Sequence, residues 1–153
     1  MENRYNDINK FITDIDKLRM DKYGTVYISE EQDYGISIWL GEQMERFEEL
    51  KSDIIRVANN ICELDNIVQR YYKKCCINTQ KYYKERYNTD DFEDHLVIVY
   101  IDEPDIITLE YWGARENTQY LVELEEMDDR FILKSFGSVE DIPADWDEIF
   151  LRG

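Results

Sequence analysis

Carboxylates are the reactive side chains that this sequence gathers most densely, and they crowd two predicted turns of the C-terminal half. Paired carboxylates can act as acid and base in hydrolysis, or they can hold two divalent ions. Here they lie in turn-forming sequence, and their spacing lacks the glycine and the late glutamate of an EF-hand loop. Two interpretations stay open, a solvated acidic rim and an acidic recognition surface. The residues are Asp102, Glu103 and Asp105 at the first turn, and Glu123, Glu125, Glu126, Asp128 and Asp129 at a later one.

Other signs of catalysis are missing from the sequence. His95 is the only histidine, no serine or cysteine lies in a nucleophile elbow, and no His/Cys spacing suits a metal. We therefore expect no catalytic residue, no metal and no cofactor. A small enzyme that uses His95 with acidic side chains remains a third hypothesis, after the two binding functions given below.

The cysteines and the apolar runs indicate the compartment. Cys62, Cys75 and Cys76 are an odd set in a helical segment and make a poor disulfide framework. Reduced thiols are typical of cytosolic proteins. No basic-plus-apolar signal opens the chain, and no apolar run approaches the roughly 18 residues of a membrane span. A cytoplasmic protein is expected.

The alternation of side chains along two predicted strands indicates which residues would form the acidic surface. Successive side chains of a strand point to opposite faces. One face of the two strands would then combine carboxylates with a tryptophan, as in interfaces where an aromatic anchor lies among charges. The alternative is that a short C-terminal helix led by Trp146 covers this face. The shared set is Thr108, Glu110, Trp112, Gln119, Glu123 and Glu125.

The net charge of −17, with a pI near 4.3, indicates the kind of partner. Residues 91–153 hold 18 acidic and 4 basic side chains, whereas residues 51–90 hold 5 acidic and 8 basic. An acidic field repels nucleic acid and anionic membranes and attracts basic partners. No direct binding to nucleic acid or membrane is therefore expected.

Residues 70–87 interleave tyrosine with lysine and arginine. Such a pattern can bind nucleic acid by stacking and phosphate contact. In a protein this acidic, pairing with the acidic sheet or with residues 1–50 is favoured, and the segment is a second candidate contact region.

A heptad pattern over residues 44–76 predicts a long amphipathic helix, broad enough in its apolar stripe to pack on a sheet or on a second copy. A break is expected near Asn59-Asn60 or near Asn78. A helix capped by Thr79 should follow, ending after Tyr87. Before the long helix, residues 5–20 predict a short helix, and residues 22–28 and 34–40 predict a hairpin.

From His95 the apolar period changes to two. Residues 95–102, 106–112, 118–125 and 130–136 predict four strands of an antiparallel meander, the first covered on both faces. Short helical turns should follow Ser138. The fold class expected is α+β, with one domain over residues 1–153 in which the meander and hairpin pack on the long helix.

The C-terminal half combines an acidic α+β character with the runs Ile107-Thr108-Leu109-Glu110-Tyr111-Trp112-Gly113, Asn117-Thr118 and Phe131-Ile132-Leu133-Lys134-Ser135-Phe136-Gly137. In these features it resembles bacterial immunity proteins of polymorphic or contact-dependent toxin systems. The resemblance implies a non-enzymatic cytoplasmic protein that binds a cognate toxin domain, often a basic nuclease, and blocks its active site. The alternative binding function is an acidic nucleic-acid mimic that inhibits a DNA- or RNA-binding protein.

Overall fold

The structure is a computed structural model that describes residues 4–29, 34–89, 91–103, 105–113, 119–138 and 149–150. Its strands are β1 (Thr25–Tyr27), β2 (Ser37–Trp39), β3 (His95–Glu103), β4 (Ile106–Trp112), β5 (Gln119–Met127), β6 (Arg130–Ser138) and β7 (Ile149–Phe150). Its α-helices are α1 (Phe47–Cys75) and α2 (Ile77–Tyr87). The α+β class is confirmed.

The seven strands form one sheet in chain order, from β1 at one edge to β7 at the other. Every neighbouring pair is antiparallel except β2 and β3, which run parallel. Parallel neighbours need a long crossover, and the two helices supply it between β2 and β3. The predicted hairpin and meander are confirmed. The pairing of β7 with β6 was not predicted.

Helix α1 lies against one face of this sheet, which we call the core face. Its buried side chains, from Leu50 through Ile54, Ile61 and Val68 to Tyr72, repeat every three or four residues and join the buried side chains of the strands in one hydrophobic core. The heptad stripe is therefore satisfied by the sheet of the same chain. We call the opposite face of the sheet the open face.

The break between the helices lies at Cys76, close to the second of the two predicted places. A break at Asn59-Asn60 is wrong, because the Asn60 amide donates to the carbonyl of Arg56 at 2.7 Å and stays within a continuous helix. Thr79 is buried rather than capping, since α2 begins at Ile77. Helix α2 ends as expected, with Asn88 in a left-handed conformation.

The predicted helix over residues 5–20 is wrong. The structure has two short 3-10 helices, Ile8–Lys10 and Ile15–Lys17, whose N-termini are capped by the carboxylates of Asp7 and Asp14. Each aspartate accepts a hydrogen bond from the backbone two residues later, which competes with helix formation. Bridges from Phe11 to Ser29 and from Met20 to Val26 then align the segment with β1.

Two further predictions concern the cover of the sheet. Strand β3 buries Leu96, Val99 and Ile101 on the core face, but Ile98 and Tyr100 on the open face are only half-buried. The expectation that β3 is covered on both faces is therefore wrong within the described residues. Both α-helices belong to the crossover between β2 and β3, and they lie on the core face. The predicted C-terminal helical turns with Trp146 fall at residues 139–148, outside the described residues.

Candidate functional site

The register of β4 and β5 places the predicted acidic and aromatic residues together on the open face. Thr108 pairs with Glu123, Trp112 pairs with Gln119, and Ile106 pairs with Glu125. The alternating residues, such as Leu109 and Val122, are buried in the core. The prediction that one face unites Thr108, Glu110, Trp112, Gln119, Glu123 and Glu125 is confirmed as geometry.

Glu110 differs from the other carboxylates because it is buried, with 6% of its surface exposed. Its Oε1 accepts a hydrogen bond from the Tyr100 hydroxyl at 2.7 Å, and its Oε2 accepts one from the Trp112 indole Nε1 at 2.5 Å. Within the described residues no lysine or arginine forms an ion pair with it. The two neutral donors hold the carboxylate in one orientation near the middle of the sheet.

Aromatic side chains extend this arrangement toward the β1 edge. Trp39 lies beside Tyr100 in the parallel pairing, and their rings meet edge to face with centroids 5.8 Å apart. Trp39 is 46% exposed and Trp112 is 49% exposed. We call Trp39, Tyr100, Glu110 and Trp112 the aromatic–carboxylate row.

Sequence reasoning missed Trp39 and Tyr100 as members of the site. A signal was present for Trp39, because it follows the buried Ile38 in a strand and must face the other way. Its proximity to Tyr100 had no local signal. His95, the only histidine, is exposed and pairs with Trp112 at the end of β3 and β4.

The remaining predicted carboxylates do not form one surface. Glu125 on the open face pairs with Lys134 at 3.2 Å, whereas Glu126 pairs with Arg56 of α1 on the helix side. Asp105 is exposed in the turn before β4. The side chains of Asp102 and Glu103 lie outside the described part of the chain.

Asp128 and Asp129 form the two-residue turn between β5 and β6. Both have positive φ, 52° and 62°, which is the geometry of a type I′ hairpin turn. Aspartate tolerates this conformation better than most residues, so the turn explains their presence without a ligand.

Two basic residues of the segment 70–87 have named partners in the structure. Lys73 pairs with Asp91 at 3.1 Å, and Arg86 donates to the Tyr82 hydroxyl at 2.7 Å. The expected pairing of this segment with the acidic sheet or with residues 1–50 stays a prediction. All six basic residues of the segment are exposed, namely Arg70, Lys73, Lys74, Lys81, Lys84 and Arg86.

A buried polar cluster, also missed from the sequence, joins the N-terminal segment, α1 and β4. Asp65 has no exposed surface and accepts a hydrogen bond from the Tyr111 hydroxyl at 2.6 Å, with Arg4 at 3.5 Å. Burial, followed by the negative charge of Asp65, raises the pKa of Tyr111 well above its usual value. The available signal was an aspartate inside the apolar stripe of α1. The cluster holds elements together, with Asp65 and Tyr111 fully buried and Arg4 partly exposed.

An open groove along the N-terminal segment has a volume of about 240 Å³ and is lined by Ile8, Asn9, Phe11, Thr13, Asp14 and Lys17. A cavity between α2 and the sheet, lined by Tyr72, Tyr83, Phe92 and Tyr120 among others, has a volume of about 10 Å³. That is the space of one water molecule. Within the same residues, no group of three or more His, Cys, Asp or Glu side chains could hold a metal ion.

The fold and the site together describe an α+β protein in which helices cover one face of a sheet and the other face presents aromatic and acidic side chains. No family model, curated protein or solved structure matches this chain. None of the helices in the described ranges has the length and apolar character needed to cross a membrane.

Proposed function

We propose that this protein is a non-enzymatic cytoplasmic binding protein that neutralises a basic, nuclease-like toxin domain through its open sheet face. The observation that supports the proposal is the exposed Trp112 beside the fixed carboxylate of Glu110, with the exposed Trp39 next to Tyr100 on the same face. Large aromatic side chains near the centre of an interface contribute much of the binding free energy, and they are surrounded by weaker polar contacts.

The charge of the molecule supports a basic partner. A protein of net charge −17 attracts cationic surfaces over distances longer than direct contact, and this steering raises the association rate. Glu123 and Glu125 are half-buried on the same face as the tryptophans. On a nuclease they would occupy positions where the phosphates of the substrate bind, and they would thereby block its active site.

The test is a double charge reversal, Glu123→Lys with Glu125→Lys. Glu110 is left unchanged because it is buried and its reversal would disturb the fold. The matched control reverses Glu63 and Glu85, which are exposed on α1 and α2, so both variants change the net charge equally. Each protein is immobilised and used to capture binding proteins from lysate of the source organism at low and at high salt.

We expect the wild type and the control to retain the same basic protein at low salt, and the face variant to lose it. Association rates of that partner should fall in the face variant and depend less on salt, because rim charges act mainly on association. Equal retention by the face variant and the control would remove the open face as the binding surface. Retention of a DNA- or RNA-binding protein without toxin activity would instead support the nucleic-acid mimic.

A further inference from the structure

We infer that the aromatic–carboxylate row is a binding site for one arginine side chain, supplied by the partner. The inference rests on the proposed function for the source of the arginine. The site itself is defined by the contacts of Glu110, Trp112, Tyr100 and Trp39, so it can be tested without any partner protein.

The first argument is the incomplete pairing of Glu110. A carboxylate offers about four lone-pair positions for hydrogen bonds. Glu110 uses two of them, for the Tyr100 hydroxyl and the Trp112 indole. Burial of a charge is costly unless the charge is paired. Lys134, the lysine of β6, forms its ion pair with Glu125 and not with Glu110. Within the described residues the position of a counter-charge beside Glu110 is therefore open to a ligand.

The second argument is the shape of the surrounding surface. Trp112 donates to Glu110 through its indole nitrogen, and about half of its surface remains exposed. Trp39 is similarly exposed and is held by Tyr100 and by a hydrogen bond from its Nε1 to the Tyr23 carbonyl at 3.3 Å. Trp112 and Tyr100 thus contact the fixed carboxylate directly, and Trp39 extends the aromatic surface beyond Tyr100.

These features favour guanidinium over ammonium. A guanidinium is planar, stacks on aromatic faces and donates two parallel hydrogen bonds to a carboxylate. It is also more weakly hydrated than the ammonium of lysine, so it loses less hydration free energy on entering a partly buried site. Cation–π attraction is strongest for tryptophan among the aromatic residues.

The test titrates the ¹⁵N-labelled protein with N-acetyl-arginine amide, which has a single positive charge, and follows the indole N–H resonances by NMR. The Trp112→Phe variant assigns the resonance of Trp112. N-acetyl-citrulline amide, which has nearly the same shape and no charge, and N-acetyl-lysine amide are titrated in parallel. We expect a saturable shift of the Trp112 resonance with the arginine probe, and binding of the other two probes weaker by about tenfold or more.

The variant Glu110→Gln should weaken arginine binding by about tenfold or more, because it removes the charge and keeps the shape. Glu63→Gln is the matched control, since it removes an exposed carboxylate of α1, on the other side of the sheet, and should leave the shift unchanged. Amide spectra show whether each variant is folded. If Glu110→Gln does not fold, the comparison of the arginine probe with the citrulline probe on the wild type still shows whether the site recognises the charged guanidinium.

The inference is overturned if arginine gives no saturable shift at the Trp112 indole, or if citrulline or lysine binds equally well. These outcomes are independent of the proposed function. Arginine binding with no captured toxin would support the site and contradict the immunity role. A captured partner whose binding is insensitive to Glu110→Gln but sensitive to reversal of Glu123 and Glu125 would support the immunity role and contradict the arginine site.

Discussion

Tyr111 is a residue whose ionisation the fold opposes strongly. Its hydroxyl is buried and donates to the carboxylate of Asp65, so a tyrosinate there would be both desolvated and repelled. Burial also raises the pKa of Tyr5 and of Tyr120. These three tyrosines stay protonated in the folded protein at a pH where they would ionise in the unfolded chain.

This contrast predicts alkaline destabilisation. A raised pKa in the folded state contributes stability that is fully present below the ordinary tyrosine pKa of about 10 and is lost as the pH rises above it. The free energy of unfolding should therefore fall above about pH 10. In Tyr111→Phe the alkaline slope should be shallower, while stability at neutral pH falls by about 1–3 kcal/mol because Asp65 loses a donor.

Urea unfolding at several pH values measures both effects. Tyr23→Phe is the control, since Tyr23 is 68% exposed and should change neither the neutral stability nor the slope. An alkaline slope in Tyr111→Phe identical to that of the wild type would contradict the assigned role of Tyr111.

At the scale of elements, the side chain of Gln80 bridges the junction between α1 and α2. The Gln80 amide nitrogen lies 2.7 Å from the carbonyl oxygen of Tyr72 and 3.0 Å from that of Cys76. Both carbonyls also accept a backbone N–H, from Cys76 and from Gln80 respectively, and the Gln80 amide lies 3.1 Å from the carbonyl oxygen of Lys73 in the last turn of α1 as well. It therefore links the end of α1 to the start of α2.

We predict that Gln80→Ala destabilises the protein by about 1 kcal/mol, the usual value of a lost capping interaction. Hydrogen exchange should become faster in α2 than in the rest of the molecule, since α2 buries few side chains besides Thr79 and Tyr83. Lys81→Ala is the control, because that side chain is exposed and adjacent. If hydrogen exchange in α2 is no faster in Gln80→Ala than in Lys81→Ala, packing alone holds the junction.

At the scale of the whole molecule, charge is distributed unevenly along the chain. Residues 91–153 hold 18 of the 35 acidic residues, whereas residues 51–90 hold 5 acidic and 8 basic side chains. Repulsion among the acidic residues destabilises the folded state, because folding brings them closer together.

Added salt should therefore raise the melting temperature. Screening shortens the range of repulsion to about 10 Å at 0.1 M, so most of the gain should appear below that concentration. Thermal unfolding followed by circular dichroism in sodium chloride and in sodium fluoride measures the effect. The two salts should act alike if screening is the cause. A melting temperature that falls with both salts would mean that internal ion pairs outweigh the repulsion.

The sequence by itself determined the elements whose signal is local and repeated. The apolar period of α1 and the alternation in β3 to β6 each depend on neighbouring residues of one element, and both were predicted nearly to their observed bounds. The common face of Glu110, Trp112 and Glu123 followed from the same alternation. Each of these predictions needed only the geometry of an isolated helix or strand.

Only the tertiary structure decided the features that depend on distant pairs. Trp39 meets Tyr100 because β2 and β3 run parallel after a crossover of two helices, and Phe11 pairs with Ser29 where a local pattern had favoured a helix. The burial of Asp65 beside Tyr111, and of Glu110 beside Tyr100, likewise joins separate elements. Such contacts form when several elements bury their faces together, so no period in one stretch of sequence could have revealed them.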